Sequence, residues 1–154
     1  MLIRTAELDD IATIAAFNAA MALETEGLTL DPEVVTSGVR GLIEKPEYGY
    51  YLVVEDNFEV VGQTLITYEW SDWRNGPFHW IQSVYVAPSH RGRKVFSALH
   101  REIETRARDA GACGLRLYVE QENLKAIEVY SHLQYKETHY KLLEKGFIEG
   151  FVKS

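Results

Sequence analysis

The feature that most constrains the fold of this chain is a strand-like run followed by a short basic turn and then a helix-like run. The strand-like run is WIQSVYV at 80–86, and the turn is RGRK at 91–94. The run after the turn carries apolar residues at every fourth position, namely Val95, Leu99, Ile103 and Ala107. This spacing puts them on one helix face, which must pack against other structure. The sequence therefore predicts a strand-to-helix unit here.

Further elements are predicted on both sides of this unit. The earlier residues predict a strand at 3–6, a helix from Asp9 or Asp10 to about Glu24, a helix from Asp31 to before Pro46, strands at 50–54 and 58–69, and a loop at 71–77. The later residues predict a strand at 115–119, a short helix capped by Asn123, and two closing strands around Lys145 and Gly146. Hairpin strands followed by a helical crossover predict an α/β (α+β) fold with a mixed sheet, in one domain over 1–154.

The distribution of charge indicates an anionic ligand. The net charge of -7 argues against a nucleic-acid binder. Residues 1–82 contain 14 acidic and 4 basic residues, whereas 83–154 contain 9 acidic and 12 basic residues. From 83 to 101 there is no Asp or Glu, although this stretch contains four basic residues. Such an island favours a phosphate-bearing ligand, and the alternative is a helix that happens to begin with basic residues.

The remaining composition bears on compartment and on other chemistries. The lone Cys113 excludes an internal disulfide, is expected to be a small buried residue, and fits a cytoplasmic protein. No apolar run approaches the length of a membrane span, and the N-terminus does not have the pattern of a signal peptide. The five histidines lack metal-ligand spacing, and no nucleophile-elbow motif is present. We therefore expect no metal and no membrane partner.

Two segments resemble the GNAT superfamily of acyltransferases. The run VYVAPSHRGRKVFSAL is similar to its acyl-CoA-binding segment, in which Arg/Gln-x-x-Gly-x-Gly/Ala follows a strand and opens a helix. The run LRLYVEQENLKAIEVYSHLQY is similar to the second segment, a strand followed by Asn-x-x-Ala-x-x-x-Tyr, here Asn123, Ala126 and Tyr130. The predicted element order matches the GNAT fold over nearly the whole chain. The resemblance implies an N-acetyltransferase that uses acetyl-CoA, often as a homodimer.

The resemblance assigns a cofactor site with three departures from the family pattern. The pyrophosphate would bind at Arg91, Gly92, Arg93, Lys94, Val95 and Phe96, the pantetheine arm along Ser83, Val84, Tyr85 and Val86, and Asn123 belongs to the second motif. Lys94 stands where the first Gly is expected, Phe96 where Gly or Ala is expected, and Gln134 where a Gly often precedes the aromatic residue. Glycine allows close approach of backbone to a pyrophosphate. Lysine keeps its backbone N–H, so we expect a working variant of the site.

Catalysis by such a protein needs an acid and a base. By resemblance Tyr130 would protonate the departing CoA thiolate, since a tyrosine has an ordinary pKa of about 10. The alternative is a core tyrosine on an amphipathic helix. The base that deprotonates the amine would be Glu69, then His79, whose ordinary pKa of about 6.5 suits the task, or Glu120. For His79 the alternative is a loop histidine that faces solvent.

Aromatic and acidic residues suggest a cationic acceptor. Trp70, Trp73 and Trp80 fall within eleven residues, and Glu69 and Asp72 lie among them. Aromatic faces with carboxylates bind cations. By resemblance this region and the loop after the first helix, with Glu24 and Glu26, would surround the acceptor, and Glu24, Glu26, Trp70 and Trp80 would bind it. The alternative is that the tryptophans form core or a dimer surface.

The function predicted from these residues is transfer of an acetyl group from acetyl-CoA to a primary amine of a small cationic molecule, by direct attack through a tetrahedral intermediate. A second hypothesis is a non-catalytic GNAT-fold module that binds acyl-CoA or another ligand. A third is a protein that shares only the fold and uses its tryptophan-rich strand for oligomerisation.

Overall fold

The computed structural model describes residues 1–153, which form a five-stranded mixed sheet with helices on both faces. The strands are β1 (Leu2–Thr5), β2 (Gly49–Asp56), β3 (Glu59–Ser71), β4 (Gly76–Val86) and β5 (Gly114–Leu117), in that spatial order. β1 to β4 pair antiparallel, and β5 pairs parallel to β4. The helices are α1 (Ile11–Glu26), α2 (Pro32–Ile43), α3 (Val95–Asp109) and α4 (Leu124–His132). The predicted mixed α/β fold is therefore confirmed.

Each face of the sheet carries its own hydrophobic core. The side chains packed under α3 include Leu52, Val54, Ile66, Ile81, Val95, Leu99 and Ile103. Those packed under α1 and α2 include Ile11, Ile14, Ala15, Val39, Tyr51 and Val53. Alternating residues of β2 enter the two cores, as expected when a strand is covered on both sides. The four-residue spacing that predicted α3 thus identifies its buried face correctly.

Two of the predicted helix caps agree with the structure, whereas Asp10 is the N-cap residue of α1 but its side chain makes no cap hydrogen bond. Asp31 Oδ1 accepts hydrogen bonds from the N–H groups of Glu33 (2.9 Å) and Val34 (3.4 Å), and Pro32 is the first residue of α2. Asn123 Oδ1 accepts from the Ala126 N–H at 3.1 Å and caps α4. These side chains satisfy backbone donors that have no partner within the helix.

The hairpin between β3 and β4 is longer than predicted. The predicted loop at 71–77 is wrong in part, because Ser71 pairs with Gly76 and Trp70 pairs with Pro77. Pro77 is compatible with this because it lies one residue before the ladder with β5 begins at Phe78. His79 consequently lies inside a strand. Within residues 1–153, no helix is long and apolar enough to cross a membrane.

Cys113 is exposed, so the expectation that it is buried is wrong. It lies in the turn just before β5, where its backbone N–H donates to the Pro77 carbonyl at 2.9 Å. Its small size suits this turn, which passes beside Gly76, but its side chain is not part of either core.

The two closing strands predicted around Lys145 and Gly146 do not form among the described residues. Residues 136–150 lie outside helices and strands, and Val152 alone makes an isolated bridge, to Leu30. The apolar residues of this segment occur as adjacent pairs, Leu142 with Leu143 and Phe147 with Ile148. Adjacent residues of a strand point to opposite faces, so the pairs cannot both be buried by covering one face.

A partly buried ion pair joins β1 to the start of α1. The Arg4 guanidinium donates to both carboxylate oxygens of Asp10 (2.7 and 3.0 Å) and to Glu55 (3.0 Å). Asp10 also accepts from the Glu7 N–H at 2.7 Å. The hydrogen bond from Arg4 holds the pKa of Asp10 below its usual range, and burial opposes this shift. The fold therefore depends on Asp10 being ionised.

Replacement of Asp10 by Asn should lower the free energy of unfolding at neutral pH by about 1–3 kcal/mol, because the charge-assisted hydrogen bonds of Arg4 are lost. The pKa of Asp10 is lower in the folded chain than in the unfolded chain. The pair therefore stabilises the fold above the unfolded pKa of about 3.9, and this stabilisation is lost as pH falls through the folded pKa. Urea unfolding at several pH values should show the difference from wild type shrinking in acid.

The matched control is Asp9→Asn, since Asp9 is exposed on the same turn. It should leave stability nearly unchanged at every pH. An Asp10→Asn variant as stable as Asp9→Asn at neutral pH would contradict the role of the ion pair.

Candidate functional site

The centre of the site is a gap between two parallel strands. The ladder between β4 and β5 joins residues 78–81 to residues 114–117, and β5 ends there. β4 continues to Val86 with β3 as its partner. Ala87 donates its N–H to Val61 of β3 at 2.8 Å, so the alternation of a strand turns the polar groups of Val86 toward the gap. The residues predicted to hold the pantetheine arm, 83–86, lie along this open edge.

The start of α3 is suited to an anion. Lys94 is the N-cap residue, and no side chain caps the first N–H groups of the helix. These groups and the helix dipole favour negative charge. Arg93 and Lys94 are exposed, and no carboxylate within residues 1–153 pairs with either of them. The residues present therefore fit the phosphates of coenzyme A.

Two of the three departures from glycine, at Lys94 and Gln134, occur at positions with a glycine-like backbone. Lys94 has a φ of 62° and Gln134 a φ of 68°, and Gly92 has a φ of 75°. The left-handed conformation that glycine favours is therefore kept without glycine at two of the three positions. Phe96 does not lie over the helix start, because its ring faces α4 with its centroid 6.0 Å from that of Tyr130. The backbone at Lys94 is therefore of the kind that glycine favours, and the Phe96 side chain packs toward α4.

Tyr130 lies in an aromatic cluster between α3 and α4. Its ring packs edge-on against Phe96 and against Tyr135, whose centroid is 5.5 Å away. Burial raises the pKa of Tyr130, so its hydroxyl keeps its proton at neutral pH. Tyr135 is held in turn by His100, with 2.9 Å between its hydroxyl and His100 Nε2. Burial lowers the pKa of His100, which favours the neutral ring.

His100 was not recognised in the sequence as part of this cluster. The signal that could have identified it is its position four residues after Phe96, which places both rings on one face of α3. Tyr135 follows Gln134, where a turn with positive φ brings its N–H back to the Tyr130 carbonyl at 2.9 Å. The turn therefore packs the two tyrosines together.

A second cluster joins a predicted acceptor residue to a predicted cofactor residue. Arg91 donates to Glu24 at 2.8 Å and, through Nε, to the Val86 carbonyl at 2.9 Å. The Tyr85 hydroxyl donates to Glu24 at 3.3 Å, and the Arg91 guanidinium lies 5.4 Å from the Tyr85 ring centroid. Tyr85 also packs on Phe17 of α1. Glu24 and Arg91 thus meet at the α1 side of the gap. Glu26, the last residue of α1, is exposed.

The tryptophans and Glu69, predicted to surround the acceptor, lie along the part of the β3–β4 hairpin that is nearer its turn. The Trp80 ring stacks on Tyr118, just after β5, at 4.4 Å. Trp70 is exposed near the end of β3. Glu69 forms an ion pair with Arg116, and the Arg116 guanidinium lies 3.7 Å from the centroid of Phe78.

The distance along β4 from the partner of Glu69 to the start of the predicted pantetheine site bears on the choice of the general base. Glu69 pairs with Phe78, five residues before Ser83, which corresponds to roughly 17 Å along a strand. Glu120 is exposed beyond the end of β5. The role of general base stays a prediction for Glu69, His79 and Glu120.

His79 is buried on β4, so the alternative of a loop histidine that faces solvent is wrong. It lies two residues from Ile81, whose side chain belongs to the core under α3, and its ring packs edge-on against Tyr68 at 4.9 Å. Burial lowers its pKa, and Nδ1 has no hydrogen-bond partner among the described residues. Tyr85 packs on α1, so His79 and Tyr85 lie on opposite faces of the sheet. Within residues 1–153, no three potential ligands converge on a metal site.

Comparison with known proteins identifies the family. The model described as the acetyltransferase (GNAT) family matches residues 14–135, a span that includes the gap, the start of α3 and Tyr130. The chain therefore belongs to the GNAT acetyltransferase family.

Individual relatives agree with this assignment. A possible acetyltransferase from Clostridium difficile 630 shares 44% identity and superimposes with a TM-score of 0.89, over 96% of this chain and 98% of that one. A thialysine N-epsilon-acetyltransferase from Bos taurus is 32% identical over 74 residues, which are 48% of this chain and 43% of the relative. The match thus spans less than half of this curated relative. An aminoglycoside antibiotic 6'-N-acetyltransferase from Acinetobacter haemolyticus shares the fold at 16% identity, with a TM-score of 0.73 and coverage of 97% and 100%.

Replacement of Lys94 by Gly tests whether this position is strained. Relief of the left-handed conformation should gain roughly 1 kcal/mol. The greater freedom of the unfolded chain should cost about 0.4–1 kcal/mol, so the net change in unfolding free energy should be small. The neighbouring Arg93→Gly is the control, since Arg93 is exposed and has no positive φ. Arg93→Gly should show only the destabilisation of about 0.4–1 kcal/mol that comes from the greater freedom of the unfolded chain. Denaturant unfolding measures both variants. Equal destabilisation by Lys94→Gly and Arg93→Gly would contradict strain at position 94.

Proposed function

We propose that this protein is an acetyl-CoA-dependent N-acetyltransferase that acts on a primary amine of a small cationic molecule. The observation that carries the proposal is the open edge of β4 beside the uncapped, basic start of α3, in a chain of the GNAT family. One site then offers unpaired backbone groups for an amide-containing arm and N–H groups with cationic side chains for phosphates. The non-catalytic binding module is the second candidate, and the experiment below separates the two.

The residues that would hold coenzyme A divide into two groups. Within 83–86, strand alternation turns the backbone groups of Val84 and Val86 toward the gap, where they would bind the pantetheine arm, although the Val86 carbonyl already accepts from Arg91. The first turn of α3, with Arg93 and Lys94, would hold the phosphates. When bound, acetyl-CoA supplies an acetyl group as a reactive thioester.

The proposed acid is Tyr130. A base, for which Glu69, His79 and Glu120 stay the candidates, would take a proton from the amine, whose nitrogen would add to the acetyl carbon and form a tetrahedral intermediate. When the carbon–sulfur bond of this intermediate breaks, the sulfur must gain a proton. The Tyr130 hydroxyl keeps its proton because burial raises its pKa. Contacts with Phe96 and Tyr135 orient the ring. The proton can then pass to the thiolate as it leaves.

The proposed acceptor site lies on the α1 side of the gap. Tyr85 packs on α1, and Ser83, two residues earlier, pairs with Leu65, whose side chain packs in the core on the α1 side. Glu24 approaches this region from the end of α1 and already binds one guanidinium, that of Arg91. A carboxylate that pairs with an internal cation can also bind a cationic group of an acceptor.

Aromatic groups on the same side of the sheet add to this argument. The stacked rings of Trp80 and Tyr118 provide a π-surface next to the end of β5. The name of the bovine relative, a thialysine N-epsilon-acetyltransferase, also supports an amine as the acceptor. The acceptor class proposed is therefore an amine with a second positive charge.

The cofactor assignment is tested by titration of acetyl-CoA while thermal unfolding is followed. Ligand at a hundred times its dissociation constant should stabilise the fold by about 2.7 kcal/mol. For a chain of this size this corresponds to a rise in Tm of roughly 5–10 °C. The Tyr130→Phe variant should show the same rise, since the phenyl ring keeps the aromatic contacts, but its kcat should fall by about 10²-fold or more.

Tyr135→Phe is the matched control, because it removes a hydroxyl from the same cluster whose partner is His100. It should retain most of kcat. A saturating rise in Tm without thiol release from any amine would favour the binding module. Equal turnover in Tyr130→Phe and wild type would overturn the acid role, and no rise at millimolar acetyl-CoA would overturn the cofactor assignment.

Replacement of Glu24 by Gln should weaken binding of a doubly charged acceptor. For a diamine the KM should rise roughly twofold to fivefold with kcat nearly unchanged, because a partly exposed ion pair contributes up to about 1 kcal/mol to binding. A monoamine of the same length should show no such rise. Glu26→Gln is the control, since Glu26 is exposed two residues further along α1. Equal effects of the two variants on the diamine would contradict the role of Glu24.

A further inference from the structure

Ser89, His90 and Asp56 form a chain of hydrogen bonds next to the site described above. Ser89 Oγ lies 2.8 Å from His90 Nδ1, and His90 Nε2 lies 3.3 Å from Asp56 Oδ2. The two ring nitrogens thus have different partners, a hydroxyl on one side and a carboxylate on the other. None of these three side chains has a role in the proposed acetyl transfer.

The backbone holds this cluster in place from two segments. Ser89 and His90 belong to a single 3₁₀ turn that begins at Pro88, and the His90 N–H donates to the Ala87 carbonyl at 2.8 Å. Asp56 is the last residue of β2 and pairs with the first residue of β3. The two turn residues between these strands have positive φ, as in tight hairpins whose turns match the twist of the strands. The geometry of the cluster is therefore set by ordered backbone on both sides.

The carboxylate decides which nitrogen of the neutral His90 ring carries the proton. As a carboxylate, Asp56 can only accept hydrogen bonds, so Nε2 is the nitrogen that donates. Nδ1 of the neutral ring then has a free lone pair and accepts from the Ser89 hydroxyl. This is the arrangement in which an imidazole acts as a base toward a hydroxyl and a carboxylate orients the imidazole.

The exposure of the three side chains suits these roles. The His90 side chain is 17% exposed and that of Asp56 is 28% exposed, whereas Ser89 is exposed. The base and its carboxylate are therefore largely shielded from water, while a small molecule can reach the serine from solvent.

The basic turn after His90 adds positive charge near the serine. Arg93 and Lys94 follow Ser89 by four and five residues, are exposed, and have no carboxylate partner within residues 1–153. Attack of a hydroxyl on an acyl carbon creates a negatively charged oxygen, which nearby cations stabilise. The surroundings of Ser89 therefore favour acyl transfer to its hydroxyl.

Acetyl-CoA in the proposed site is not the donor for this reaction. The pantetheine arm is proposed to lie along 83–86 and the phosphates at the start of α3, so the thioester would lie at the end of the arm that is far from the phosphates. Ser89 is adjacent in sequence to the phosphate end. Its acyl donor must therefore come from solution.

We propose that Ser89 is a nucleophile that takes an acyl group from a small acyl donor with a good leaving group. A bond forms between Ser89 Oγ and the acyl carbon, and the bond from that carbon to the leaving oxygen or sulfur breaks. The hydroxyl proton passes to His90 Nδ1 and from there to the leaving group. The products are acyl-Ser89 and a free alcohol or thiol, so the step needs no further reactant. Asp56 is a positioning residue that acts through His90.

The test uses p-nitrophenyl acetate with the whole chain, without coenzyme A or an amine, so its result does not depend on the acetyl-transfer proposal. Wild type should release a burst of p-nitrophenolate of about one equivalent per chain, and peptide mass spectrometry should find the acetyl group on Ser89. Ser89→Ala should lose the burst. Ser37 is the internal control, since it is exposed on α2 and takes part in none of the histidine hydrogen bonds within residues 1–153.

Two further variants separate the base from the residue that positions it. His90→Gln and Asp56→Asn should each lower the rate of Ser89 acetylation by about 10²-fold, with unchanged circular dichroism. In Asp56→Asn, nitrogen NMR should also show that the His90 proton is no longer fixed on Nε2, because an amide can donate as well as accept. His132→Gln is the control, because His132 is exposed and its Nδ1 lies 2.8 Å from the Glu128 carbonyl oxygen. It should not change the rate.

Three results would overturn the proposal. Acetyl groups found on lysines alone, or equally on Ser89 and Ser37, would show that Ser89 is not activated. An equal rate of Ser89 acetylation in His90→Gln and His132→Gln would remove the base. A slower Asp56→Asn variant whose His90 proton stays on Nε2 would remove the positioning role of the carboxylate.

Discussion

The separation of β4 from β5 after four paired residues is the constraint on which the rest of the site depends. Parallel strands held together along their whole length would leave no backbone groups free for a ligand. Two features set where pairing begins and ends. Gly114 starts β5 beside Phe78, where a Cβ would lie only 2.8 Å from the Phe78 ring, and a register shift at Leu65 and Ile66 lies opposite the point where pairing with β5 stops.

The gap has different electrostatics at its two ends. Toward α3 the backbone N–H groups, Arg93 and Lys94 provide positive charge without a neighbouring carboxylate among the described residues. Toward α1 the Glu24 carboxylate provides negative charge, with Arg91 as its internal partner. An anionic cofactor and a cationic acceptor would therefore be drawn to opposite sides of one opening. The Arg91 side chain donates to Glu24 and to the Val86 carbonyl, and its role in binding phosphate stays a prediction.

The sequence predicted the central unit of the fold well because its signals are local. The spacing of Val95, Leu99 and Ile103 depends only on helix geometry, and the caps at Asp31 and Asn123 depend only on nearby backbone donors. The two closing strands predicted within residues 136–150 were wrong because strand formation does not depend on local signals alone. The apolar residues of this segment are of a type found in strands, but strand formation needs a partner edge, and a partner edge is not a local property.

Residue order alone established the family motifs, the positive island and the elements that carry them, because each is a matter of spacing along one segment. Contacts between distant segments had to come from the folded chain. The pairing of Glu24 with Arg91 joins residues 67 positions apart, and His100 meets Tyr135 across 35 positions. The burial of His79 follows from the length of a hairpin whose register is set by cross-strand packing. Local spacing specifies secondary structure, whereas the arrangement of a site depends on how the faces of separate elements pack, which no single segment encodes.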